Sequence, residues 1–357
     1  MRAPWARGRE LATVDVTVMG AGIFGLCIAY VCASRGARVR VIETHGIGAG
    51  SSGGIVGALS PHTPENWNDK KQFQLESLMM AGPFWEAVDA LSELSSGYGR
   101  VGRLQGVADE RALTLAQERA ANAETLWQGH AEWHVVRANS ENPWLPPSPC
   151  GWMIHDTLSA RLHPKRACES LAGAIRALGG EIIIGDGTTR GQVIWATGHQ
   201  GLQDLSQALN RPVGVGIKGQ ALLVNHDASG LPQMFIDGLH LIPHDDGTTA
   251  IGSTSEREYD APDTTDAQLD AVHARAIAAV PALQTAPIIA RWAGVRPRAK
   301  SRAPMLGRWP GRQGHFIANG GFKIGFGMAP KVAQIIADLV LDGRDVIPDS
   351  FRVEASL

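Results

Sequence analysis

Cysteine is scarce and badly spaced for metal or redox work. Cys27, Cys32, Cys150 and Cys168 are the four in the chain, and no two form a C-x-x-C pair. That spacing excludes a disulfide framework and the common metal fingers, and it fits reduced thiols in a cytoplasm. An excess of one charge is missing too: 33 Lys and Arg face 35 Asp and Glu. No chain-wide basic field exists to hold a nucleic acid by counterion release. A G-x-S-x-G elbow is absent, which sets a serine hydrolase aside. His130 and His134 stand four apart in "HAEWH", but alanine follows the first histidine where H-E-x-x-H needs glutamate, so no metal site is expected. No run approaches the roughly 18 apolar residues that read as a membrane span. The basic opening "MRAPWARGRELATVDVTVMGAG" runs into glycines without a cleavable small-residue site, and no signal peptide is read there.

What the chain does have is glycine, 42 of them and clustered. Clustered glycine marks tight turns or backbone that approaches a ligand closely. A length of 357 residues suggests about two domains, at roughly 100–200 residues each. The first cluster lies in "VDVTVMGAGIFGLCIAYVCASRGARVRVIE", which reads as strand, turn, helix and strand. Val14, Val16 and Val18 form a β-rich run; Gly20, Gly22 and Gly25 then spell G-x-G-x-x-G. An apolar helix should follow from about Phe24 to Ser34, stopped at Gly36. The second strand ends on Glu43, placed to accept hydrogen bonds from ribose hydroxyls. In this context the glycines make a dinucleotide turn, with the pyrophosphate at the helix N-terminus beside Ile23 and Phe24. Cys27 and Cys32 fall on the apolar helix and read as core.

FAD and NAD share this fingerprint, and the next segment separates them. "GIGAGSSGGIVGALSPH" runs from Gly46 to His62, where an NAD domain would continue into another helix and strand. A mobile small-residue loop suits backbone lying along a longer cofactor instead. Its Ser51 and Ser52 would serve phosphates, and Val56, Gly57 and Ala58 would approach the ring.

Together with "VIWATG" (193–198), "KGQALLV" (218–224), "IGSTSE" (251–256) and "WAGVRPRAKSRAPMLG" (292–307), these segments resemble the D-amino-acid oxidase superfamily of FAD-dependent amine oxidoreductases, glycine oxidase-like branch. The resemblance spans nearly the whole chain and keeps the family's order. It implies an α/β fold: a Rossmann-like FAD-binding domain assembled from residues 12–90, 155–210 and 300–357, and an α+β substrate domain, 91–154 and 211–299, with a mainly antiparallel sheet. Thr197 and Gly198 would close the floor of the flavin domain. One departure is the short "EIIIGDGTTRGQVIWATG", which leaves little room for the family's hairpin and makes Ile184 only a weak candidate for adenine contact.

If the substrate is an amino acid, its carboxylate needs a cation in fixed geometry, which arginine supplies with two parallel hydrogen bonds. Arg296 in "GVRP" matches the family residue in that role. Arg291, five residues earlier on an extended segment, should point away and form a structural ion pair. Lys300, Ser301 and Arg302 replace a family acid, and read either as a contact for an acidic substrate tail or, preferably, as a solvated loop. His240 falls where relatives carry a tyrosine facing the substrate; it is either a ligand that makes activity pH-sensitive near neutrality or a plain strand histidine. His244 belongs to the "HDDG" turn, and His62 reads as a turn residue before "TPENW".

The second glycine cluster, "NGGFKIGFGMAP", lies at residues 319–330. It reads as a turn after a strand and before a helix from about Met328 to Leu341, with Pro330 in the first helical turn. Backbone N–H groups of Gly320, Gly321, Phe322, Lys323, Ile324 and Gly325, with a helix start behind them, would stabilise negative charge on a reduced flavin. Lys323 matches a basic family residue beside flavin and substrate, and would act there as a point charge. The expected enzyme oxidises the C–N bond of a small amino acid or amine, using noncovalent FAD and no protein base, with oxygen or a quinone as acceptor. The alternatives are a quinone- or protein-linked dehydrogenase, or a flavin-binding subunit of a larger complex. Expected partners exclude nucleic acid and integral membrane, and homo-oligomerisation stays open.

Overall fold

The computed structural model describes residues 14–139 and 143–357; most of the opening basic stretch lies outside them. The chain begins β1 (Val16–Met19), α1 (Ile23–Ser34), β2 (Val39–Glu43), β3 (Ala58–Leu59) and α2 (Asp69–Ser92). It continues through β4 (Arg103–Gly106), α3 (Glu110–Leu126), β5 (Trp133–Arg137), β6 (Trp152–Asp156) and β7 (Ala160–Arg161). Then come α4 (Pro164–Ala177), β8 (Glu181–Ile184), β9 (Gln192–Trp195), α5 (Gly198–Ala208) and β10 (Gly214–Val224). The rest is β11 (Gln233–Ile236), β12 (Leu239–Pro243), β13 (Thr249–Gly252), α6 (Ala267–Ala279), β14 (Ile288–Ala299), β15 (Met305–Arg308), β16 (His315–Asn319) and α7 (Gly325–Leu341).

Two large sheets organise these elements. The first has the order β15-β16-β9-β1-β2-β8 and is parallel except at β15. Its chain order reverses at β1, the position where open α/β sheets leave a crevice for ligands. The second, β14-β10-β13-β12-β11-β4-β6-β5, is antiparallel except between β11 and β4. Strands of the first sheet come from 16–43, 181–195 and 305–319, and those of the second from 103–156 and 214–299. The α/β expectation with two sheet layers is met.

Helix α1 shows why the first sheet holds. Ten of its residues, Ile23 to Tyr30 with Cys32 and Ala33, are buried, so it is apolar all round and sits in the core. It packs on α4 and α7 as well as on its own strands. Gly36, with φ +89°, ends it where a side chain would be strained.

Two expectations are corrected. Helix α7 starts at Gly325, and Pro330 is its sixth residue. Gly325 and Gly327, poor helix formers, concealed that first turn, and a short 3₁₀ turn at Phe322–Ile324 leads into it. Residues 322–341 have the length and hydropathy of a membrane span, but 61% of that stretch is buried, as suits a core helix. The "HAEWH" histidines, for which no metal site is expected, fall outside any common helix. α3 stops at Leu126 and His134 lies on β5.

Candidate active site

At the N-terminal turn, packing dictates glycine. A Cβ on Gly25 would stand 2.0 Å from the Gly20 carbonyl oxygen, so α1 rests directly on the turn below it. Glu43 closes the turn from β2: its Oε2 accepts from the Ala21 N–H at 2.8 Å, and its Oε1 from the His45 N–H at 3.1 Å. The carboxylate thus fixes the loop before any ribose arrives. Ser52 Oγ accepts from the Ile23 N–H at 3.0 Å. This satisfies one orphan donor at the helix start and leaves the positive end of the dipole to an anion. Ser52 is expected at phosphates; its oxygen accepts from the start of α1 while its hydroxyl proton remains available for an anion. Ile184 pairs in register with Glu43 and is 51% exposed, an uncovered apolar side chain beside the acid expected at the ribose. A dinucleotide fits this end.

The glycine–serine segment is a packed element rather than the mobile loop expected. Ser51–Gly53 forms a 3₁₀ turn and Ala58 lies in β3. A Cβ on Gly57 would come 1.7 Å from the Leu162 carbonyl oxygen. His244, read from sequence as a turn residue, is fully buried, and its Nε2 lies 3.0 Å from the Ile55 carbonyl oxygen. Burial pushes His244 down to about 4, so it holds the loop as a neutral ring. Val56 reaches Gly252 of β13, where an added Cβ would be 2.7 Å from its Cγ2. The loop therefore joins the first sheet's crevice to the second sheet. His62 is tied through its N–H and ring to Gln74, as a turn residue should be.

The C-terminal cluster meets the same crevice. Asn319 Nδ2 donates to the Gly198 carbonyl at 2.9 Å, fastening the A-T-G turn of Thr197 and Gly198 to β16. Gly320 takes φ +77°. Gly321 lies against Phe24, whose Cζ would be 2.8 Å from an added Cβ. The two glycine motifs, far apart in sequence, touch there. Beyond them come the 3₁₀ turn and the start of α7 at Gly325.

Arg296 rises from β14 on the face where β10 presents Gly219, and a Cβ on Gly219 would be 1.8 Å from Arg296 Nη1. Its Nη2 donates to Ser253 Oγ at 2.9 Å and its Nη1 to the Thr254 carbonyl at 3.3 Å. Both acceptors are neutral, and among the described residues no carboxylate lies within ion-pair distance of Arg296. Burial pushes its guanidinium down to about 10, against the pull of Glu256, so it stays charged at neutral pH.

His240, in register with Gly252, packs its ring 4.9 Å from Phe235. Its Nδ1 is buried without a partner. Burial, then the charges of Arg103, Lys323 and Arg296, press His240 down to about 3. Of the two readings left open for His240, titration near neutrality is the one this environment opposes: the ring is held neutral in a field of cations. Lys323 is exposed along its side chain, 5.8 Å from the Phe322 ring centroid, and partial desolvation of its ammonium, then Arg296 and Arg298, lower it. Arg298 lies 5.4 Å from the same ring. The structure thus brings Arg296, His240 and Lys323 into one electrostatic neighbourhood.

Other candidates disperse. Arg291 pairs with exposed Asp270 at 2.7 Å. Lys300 donates to the Leu357 carbonyl at 3.2 Å. No group of acids, histidines or cysteines among the described residues could hold a metal. The buried Arg103–Asp156 pair beside Phe235, at 2.9 Å, was missed, because β4 and β6 meet only in the fold.

A glycine turn at the sheet's crevice, with an acid-free arginine across from it on a second sheet, places the chain among dinucleotide-dependent oxidoreductases. The family model described as FAD dependent oxidoreductase, DAO, matches residues 15–339. The chain belongs to this family, and FAD is its cofactor. It is 28% identical over 375 residues to a glycine oxidase of Pseudomonas putida, covering 96% of this chain and 99% of that protein. The solved glycine oxidase from Geobacillus kaustophilus superposes with a TM-score of 0.82 at 20% identity, over 95% of this chain and 98% of that one. An iminodiacetate oxidase from a Chelativorans species superposes with a TM-score of 0.79 at 22% identity, with 95% and 98% covered.

Proposed function

We propose that the chain oxidises the C–N bond of a small amino acid or related amine to an imine, which water hydrolyses to an oxo acid or aldehyde. The observation that carries this reading is Arg296: a charged guanidinium held from behind by Ser253 Oγ and the Thr254 carbonyl, with no acid of its own. A bidentate substrate carboxylate supplies the missing charge. FAD, when bound, supplies the acceptor for the substrate's hydride. The N-terminal turn at Gly20, Gly22, Ile23, Phe24 and Gly25 would hold its pyrophosphate and Glu43 its ribose. Ser51, Ser52, Val56, Gly57, Ala58, Thr197, Gly198 and residues 320–325 would line the rest.

Arg296 fixes the α-carbon by its carboxylate, which leaves the nitrogen to be presented as the free amine. His240, neutral and with a buried ring nitrogen lacking a partner, is suited to hydrogen-bond that substrate and unsuited to take a proton from it. Lys323 would add positive charge beside the bound flavin and so favour its reduced form. Glycine oxidase as a relative favours a small substrate. The same reading sets the enzyme in the cytoplasm, in keeping with four free thiols, and gives the electrons to oxygen or a quinone.

Aerobic incubation with glycine, N-methylglycine and both alanine enantiomers tests it. Oxo acid formed in step with peroxide is the expected result. Oxo acid formed only with an added quinone would make the chain a dehydrogenase. No oxidation of any amine under either condition would overturn the reading.

A further inference from the structure

Behind Arg296, on the other face of β10, lies a buried polar cluster that the reaction does not touch. Lys218 and Glu256 are both under 10% exposed, with Nζ and Oε2 3.6 Å apart. Their backbones exchange two hydrogen bonds of 2.9 Å, which lay residues 253–256 along β10. Gln220 Nε2 donates to Glu256 Oε1 at 3.0 Å. Thr254 hangs between the two faces. Its Oγ1 accepts from the Gln220 N–H at 2.8 Å and donates to Glu256 Oε1, while its carbonyl points the other way and accepts from Arg296.

A buried ion pair is a poor source of stability, because desolvation offsets most of the attraction; conformational specificity is the better-attested reason to keep one. Here the specified object is a four-residue segment whose outward groups, Ser253 Oγ and the Thr254 carbonyl, are the two acceptors that hold the Arg296 guanidinium. With Gly219 leaving the space, nothing else contacts that guanidinium by hydrogen bond among the described residues.

We propose that Thr254 and Glu256 are positioning residues for Arg296: Glu256, anchored by Lys218 and Gln220, fixes Thr254, and Thr254 sets the angle at which the guanidinium meets an anionic group. This rests on the reading of Arg296 as the carboxylate-binding residue. It adds that the binding geometry is stored on the far side of the sheet, in residues that never touch the ligand.

The test uses acetate as the probe carboxylate, titrated by calorimetry into purified FAD-loaded protein, beside melting temperature. Arg296→Ala should abolish acetate binding; if it does not, the underlying reading fails, whatever the other variants do. Thr254→Val removes Oγ1 at nearly constant volume and should weaken acetate binding roughly tenfold, the worth of one or two hydrogen bonds. Thr254→Ser, which keeps the hydroxyl, should restore it to within about twofold. Glu256→Gln should weaken acetate binding in the same direction, and the KM for an amino acid should rise in both variants more than kcat falls. With Arg296→Ala negative, a Thr254→Val protein that melts normally and binds acetate like wild type overturns the proposal. So does an equal loss in Thr254→Val and Thr254→Ser. If Thr254→Val does not fold, the Glu256→Gln titration decides on the same criterion.

Discussion

The two ends of the site are built on opposite principles. At the N-terminal turn the polar groups already have partners: Glu43 holds the Ala21 N–H and Ser52 the Ile23 N–H. At the second sheet and the 3₁₀ turn of Phe322–Ile324 they do not: among the described residues Arg296 donates only to neutral acceptors, His240 Nδ1 has no partner, and neither Lys323 nor Arg298 forms an ion pair with an acid. A cofactor that stays bound suits a finished cradle with strict sterics. A substrate that comes and goes suits a charge left uncompensated until it arrives.

Substitution at the finished end should cost the fold and cofactor together. Gly25→Ala places a methyl 2.0 Å from the Gly20 carbonyl oxygen, an overpacking worth about 1–3 kcal/mol or more. The protein should purify colourless with a lowered melting temperature, and a yellow protein of normal stability would dissolve the contrast. At the open end, Arg296→Ala should leave FAD content and melting unchanged. Its kcat/KM for amino acids should fall by on the order of 10³, the range for removing one member of a hydrogen-bonded charge pair. Glu43→Gln sits between the extremes: it keeps the shape but weakens a charge-assisted bond, so FAD should bind about tenfold more weakly in equilibrium dialysis. Lys323→Met removes a partly screened charge. It should lower the flavin reduction potential by about 30 mV, equivalent to about 1.4 kcal/mol for two electrons, measured against reference dyes.

The last effect concerns pH and shows only in acid. His240 and His244 are held at about 3 and about 4 in the fold, below the ordinary value near 6.5. The unfolded chain therefore binds more protons once pH falls through 6.5, and stability is lost from there down toward the folded values. Above pH 7 neither contributes. His240→Phe should flatten the decline in melting temperature between pH 6 and about 4, and an unchanged slope would mean that His240 is not kept neutral by its surroundings.

The first glycine turn was legible because it is local: Val16, Val18, Gly20, Gly22, Gly25 and Glu43 carry strand, turn and acid within one short stretch, and each lies where the periodicity places it. Arg296 stood out through its W-A-G-x-R-P setting, and its role is the proposal that Arg296→Ala tests. What sequence could not reveal depends on meetings across the fold. His244 looked like a turn residue because only the third dimension brings Ile55 to it. Glu256, Gln220 and Thr254 sit in quoted motifs, yet the hydrogen bonds that join them, and the one from Arg296 to the Thr254 carbonyl, follow from the folded path of residues 253–256 beside β10. Ser52 was read as a phosphate ligand because hydroxyls near glycines invite that reading; its capping of α1 needed the loop's folded path. Helix α7 began early because its first turn is glycine-rich, where propensity misleads.

The central claim, a finished flavin cradle facing an arginine that awaits a carboxylate, is tested most directly by anaerobic titration of the yellow protein with small amino acids, wild type beside Arg296→Ala. The account predicts bleaching of the visible flavin band in the wild type and, in the variant, bleaching that is slow and unsaturated at the same concentrations. Flavin that stays oxidised in the wild type with every amino acid, or bleaches equally well in both proteins, would contradict it.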